Sequence, residues 1–197
     1  MQLSSGVSRT TPIAESDTMT TDLRASPDIL AERDPGKLAW RAIEPVWRAT
    51  SISDEPEAID RQLARLTDGQ RGLFAIHWCI SEVSNGGFDQ FFSNPAGNLA
   101  QEVREGFVRI GNEVFASIMD QVMAPFPEER PARRRAERLL QLRRMRGPDT
   151  ARVPGFSPYD DVFLGMLDEV EADMAGYVLE HPEEFVRSSS RGPANER

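Results

Sequence analysis

Apolar residues recur at steps of three and four along most of this chain. In "RQLARLTDGQRGLFAIHWCISEVS" they fall at Leu73, Ile76, Cys79, Ile80 and Val83, which is the spacing of one helical face. Thr67 followed by Gln70 has the form of a capping box, in which a hydroxyl oxygen and a side-chain amide satisfy free groups at a helix start. A second row runs Leu99, Val103, Phe107, Ile110, Val114, Ile118 and Val122, so one long helix is expected from Asn98, capped by Asn98 and Gln101. A third, Phe163, Leu167, Val170, Met174 and Tyr177, predicts a last helix with Ser157 as N-cap and Pro158 at its first position. Leu38, Ile43 and Trp47 suit a shorter helix that Pro45 should bend or split. Pro131 suits the first turn of an arginine-rich helical segment.

Between the first two rows stands "SEVSNGGFDQFFSNPAG", residues 81–97. Asn and Gly tolerate the left-handed backbone, so Asn85, Gly86 and Gly87 are expected to stop the preceding helix. No alternating strand pattern and no internal repeat is present, and the fold class expected is all-α, a compact multi-helix bundle. Residues 1–35, rich in Ser, Thr, Asp and Pro, read as a flexible tail, 36–187 as one helical domain and 188–197 as a second tail.

The 197 residues are 39 % hydrophobic, enough for a core. One cysteine, Cys79, allows no internal disulfide, and the N-terminus shows no apolar signal-peptide run, so a reducing, cytoplasmic setting is expected. The net charge of −9 argues against direct nucleic-acid binding. The charge is unevenly placed. Residues 160–184 hold nine acids and no Lys or Arg, leaving 23 acids against 23 bases elsewhere, so the whole excess lies in this segment.

Five features can carry chemistry. His77 and His181 have no second ligand at zinc spacing, so no metal and no cofactor is expected. Cys79 and His77 are two apart on a helix and point in different directions, which leaves no nucleophile–base pair and no enzyme. "SNGGFDQ" lacks the strand and the Lys-Ser/Thr of a phosphate loop. Glu82, Asn85, Gln90 and Asn94 either satisfy two helix ends meeting at Gly86 and Gly87, with Phe88, Phe91 and Phe92 wedged into the core, or line a small-ligand pocket. Asp160, Asp161, Asp168, Glu169, Glu171 and Asp173 fan over the face opposite Phe163, Leu167, Val170 and Met174. They face solvent or a partner, or they are neutralised by the arginines of segment 130–146.

The run Glu82, Asn85, Gly86, Gly87, Phe88, Gln90, Phe91, Phe92, Asn94 and Gly97, with the late "SPYDDVF" and "EHPEEF", resembles the signature of the bacterial DNA-mimic protein family over roughly residues 38–187. The resemblance implies an all-helical, non-enzymatic protein that presents carboxylates where a DNA-binding protein expects phosphates. The expected partner is a basic protein surface such as a transcription factor, bound through the acidic helix, with residues 82–97 holding the fold. A homodimer stays open, and an immunity or antitoxin-like partner protein is the other interaction reading.

Overall fold

The computed structural model describes residues 22–52, 55–147 and 152–188. Among them the elements are helical: α1 (Pro35–Ala49), α2 (Pro56–Leu63), α3 (Asp68–Ser93), α4 (Ala100–Arg109), α5 (Glu113–Met123), α6 (Arg135–Arg146), α7 (Ser157–Gly165), α8 (Leu167–Glu180) and α9 (Pro182–Phe185), with three 3-10 turns. The all-α bundle is as expected. The described residues form no strand, only an isolated bridge between Ala25 and Val186. None of their helices is long and apolar enough to cross a membrane.

Helix α3 is the axis. It packs on α4, α1, α6, α7 and α9, while α1 also lies along α8. Its start is the expected capping box, with Thr67 accepting from the Gln70 amide and the Gln70 side chain returning to the Thr67 N–H. Gly72 and Gly106 let α3 and α4 meet backbone to backbone, for a Cβ on Gly106 would lie 2.9 Å from the Gly72 carbonyl oxygen. Phe88, Phe91, Phe92, Phe107, Phe115, Phe156 and Phe163 fill the centre, all within 2 % of full burial.

Several expectations need correction. Pro45 does not split α1, because Leu38, Ala39, Ala42, Ile43 and Val46 bury one face and outweigh the lost hydrogen bond. The glycine pair does not end α3 but kinks it, with Gly86 and Gly87 non-helical and Gly87 at φ +73°. The long helix from Asn98 is two helices. Gly111, at φ +76°, closes α4, and Asn112 caps α5 through the Phe115 N–H at 2.9 Å. Val114, assigned to the buried row, is exposed, and Asn98 caps nothing. The last helix breaks at Met166 and again at His181. Ser157 is its first residue and Phe156 its cap position, with no side-chain capping bond. Pro131 precedes α6 rather than opening it. Residues 22–34 of the expected tail are packed, with Leu23, Ala25 and Ile29 buried, while 1–21 and 189–197 lie outside the described residues.

Candidate functional site

The polar groups of residues 82–97 are answered within the fold. One oxygen of Glu82 accepts from both Gln90 Nε2 and Asn94 Nδ2, each at 2.8 Å. This joins the two halves of the kinked helix across the bend. Asn85 does not join them; its amide turns back to the Ser81 carbonyl at 2.7 Å and faces out. Of the four residues read as a possible pocket, three therefore form a closed knot and the fourth caps its own helix half.

The kink frees the Phe88 N–H, and Asp160 Oδ1, arriving from α7, accepts it at 2.7 Å. Gly87 makes room, since a Cβ there would lie 2.7 Å from the Asp160 carboxyl carbon. Burial raises the Asp160 carboxyl above its ordinary range. Asp89, also buried, accepts Arg146 Nε at 3.2 Å and the Val153 N–H at 2.9 Å, which pins both ends of the α6–α7 connection. At the C-terminal end of α3 the fully buried Arg138 donates to the carbonyls of Phe92, Asn94, Ala132 and Arg133 at 2.6–2.9 Å. A cation suits the negative end of a helix, though burial lowers its pKa to about 10. Gly97 lets it enter, because a Cβ would lie 2.7 Å from Arg138 Nε.

Other sequence candidates are packing groups. Cys79 is fully buried and its thiol is pushed well up by desolvation. His77 packs edge-on to Trp40 with its Nε2 buried and unpartnered, and desolvation lowers its pKa to about 4. Arg133 Nη2 lies 2.9 Å from Asp60 and 3.2 Å from the largely buried Glu102, within ion-pair distance but without hydrogen-bond alignment. Burial raises the Glu102 carboxyl. Among the described residues no group of His, Cys, Asp or Glu could hold a metal ion.

The acidic segment is different. The arginines of residues 130–146 do not reach it. Arg133 meets Asp60 and Glu102, Arg134 meets Glu55 and Glu57, Arg135 donates to the Ser93 carbonyl, and Arg146 pairs with Asp89. Among the described residues, no arginine or lysine forms an ion pair with any acid of 160–184, although Arg152 lies near enough to Asp160 to favour its charged form.

The six named acids divide evenly. Asp160 caps Phe88, Asp173 accepts from Asn112 Nδ2 at 2.7 Å, and Glu171 lies against Gly36 in the first turn of α1. These three are half-buried. Asp161, Asp168 and Glu169 are exposed and, among the described residues, have no hydrogen-bond partner. Val162 and Leu164, 45 % and 41 % exposed, stand beside them on α7. The named set omitted Glu180, exposed at the C-terminal end of α8 where no basic residue accompanies it. The signal was in the sequence as an acid at the end of a helix that has no cation.

A family model described as DMP19-like protein matches residues 64–181. This finding corrects the assignment drawn from the motif, which named the DNA-mimic protein family over roughly 38–187; the DMP19-like family is the one matched. No curated protein and no solved structure gives a significant match.

Proposed function

The chain belongs to the family of DMP19-like proteins, and from that premise we propose that it is a non-enzymatic helical module that binds a basic protein. In this reading the outward carboxylates of α7 and α8 take the place of DNA phosphates on a DNA-binding partner. One observation carries it: Asp161, Asp168 and Glu169 are exposed and, among the described residues, paired with no cation. A fold that needed these charges would have paired them, as it pairs Asp60, Asp89 and Asp120. Unpaired like charges repel one another, and an opposing cationic groove relieves that repulsion. Exposed Val162 and Leu164 add the apolar contact that protein interfaces use and nucleic acid does not supply.

The test is competition. Immobilised protein is offered a bacterial lysate at low salt, and the captured protein is challenged with duplex DNA. The captured protein should be basic, bind DNA itself, and be released by both DNA and moderate salt. The variant D161N/D168N/E169Q should capture none. Capture that persists in that variant and resists DNA overturns the reading.

A further inference from the structure

Gly176 lies inside α8, and nothing within the protein requires a glycine there. Its φ is not left-handed, and an added Cβ would meet no atom within 4 Å. Gly36, Gly69 and Gly97 differ, since a side chain at any of them would collide with a neighbour, while Gly165 has the same open surroundings but ends its helix. Glycine in a helix interior is less stable than alanine. The position thus weakens α8 with no internal return.

What the missing side chain leaves open is a notch in an acidic row. Glu169, Asp173, Gly176 and Glu180 step by four, three and four along α8 and share one face. The notch opens into a cleft of about 310 Å³ lined by Arg109, Asp173, Gly176, Tyr177, Glu180 and His181. Arg109, Tyr177 and His181 also border a wider opening of about 560 Å³ against α4.

The lining is chemically particular. Arg109 is drawn toward Asp68 at 3.1 Å, a carboxylate it shares with Arg71. Asp173 is oriented by Asn112, a neutral donor. Glu180 has no partner among the described residues and sits at the end of α8 where the helix dipole is already negative. The rings of Tyr177 and His181 lie 4.4 Å apart, centroid to centroid, tilted 37° to one another, and give the cleft an aromatic side.

An open cleft with two carboxylates and an aromatic side suits a planar cation on a slender stem. A guanidinium stacks on aromatic faces and is weakly hydrated, whereas an ammonium is compact and strongly hydrated. We propose that the cleft beside Gly176 receives one arginine side chain of the basic partner, its guanidinium lying along the Tyr177 and His181 rings between Asp173 and Glu180. This rests on the interaction reading above and adds to it an anchor residue of the kind that dominates interface energetics.

The test uses the full chain and two probes, a short oligo-arginine peptide and an oligo-lysine peptide of equal length, with affinities read by fluorescence anisotropy. The arginine peptide should bind about tenfold more tightly. Gly176→Leu fills the notch and should raise the melting temperature while reducing the arginine peptide to the affinity of the lysine peptide. Glu180→Gln, at an exposed position, should likewise remove the preference, and it decides the matter if the leucine variant folds poorly. The variant D161N/D168N/E169Q should weaken both peptides alike. If the arginine preference is absent in the wild type, or survives Gly176→Leu and Glu180→Gln, the cleft proposal fails while the acidic surface stands. If D161N/D168N/E169Q binds both peptides as the wild type does, the acidic-surface reading fails instead.

Discussion

Residues 82–97 and residues 157–180 are both dense in polar groups, and they differ in where those groups find partners. In the first stretch, Glu82 is shared by two amides, the freed Phe88 N–H by Asp160, Asp89 by Arg146, and the carbonyls at the end of α3 by Arg138. In the second, Asp161, Asp168, Glu169 and Glu180 are exposed and find no partner among the described residues. The contrast separates two uses of polarity. A buried polar group left unmatched destabilises a fold, so the matched set is the one that holds this fold together. An exposed charge left unmatched costs the fold little and stays available to another molecule.

That contrast can be broken at measurable points. The largest effect is expected for Arg138→Met, which strips four buried or half-buried carbonyls of their donor and should cost about 4 kcal/mol, near 10 °C in melting temperature. A loss under about 1 kcal/mol would show that water replaces the guanidinium. Gly87→Ala comes next. It forces a side chain onto a backbone at φ +73°, ψ −176° and into the Asp160 carboxylate, and should cost about 3 kcal/mol by urea unfolding.

His77 sharpens the comparison, being a half-buried ring whose Nε2 is buried and has no partner among the described residues. Its folded pKa of about 4 lies below the ordinary 6.5, so the unfolded chain binds the extra proton. Its contribution is full above pH 6.5 and is lost as pH falls toward 4. Between neutrality and pH ~5 the wild type should lose about 2 kcal/mol more than His77→Leu, measured by urea unfolding at the two pH values. Equal losses would mean the ring is already solvated. A smaller effect, about 1 kcal/mol, is expected for Asp160→Ala, which removes the cap of the second half of α3.

The sequence carried the helices, the capping box and the aromatic wedge of Phe88, Phe91 and Phe92, because each is local or strictly periodic. It carried Gly111–Asn112 as a helix break too, but the apolar row running through Ile110 and Val114 spoke more loudly than two residues of turn chemistry. The break at Met166 follows Gly165, but one glycine inside the apolar row from Phe163 to Leu167 is a weak signal beside that periodicity. Asp160 and Asp161 were indistinguishable, as adjacent acids in one helix start. Only the docking of α7 against the α3 kink turns one to the Phe88 N–H and leaves the other in water. Arg138 looked like its arginine neighbours. Its burial follows from the distant carbonyls of Phe92 and Asn94, which no local pattern announces.

Thermal unfolding of D161N/D168N/E169Q beside the wild type, at an ionic strength of about 0.01 M where surface charges interact over roughly 30 Å, tests the central claim most directly. Free, mutually repelling carboxylates predict a melting temperature within about 2 °C of the wild type, the relief of repulsion offsetting the lost interaction of Asp168 and Glu169 with the N-terminus of α8. A fall of several degrees would show that those charges already serve the fold, and that the surface proposed for a partner is occupied from within.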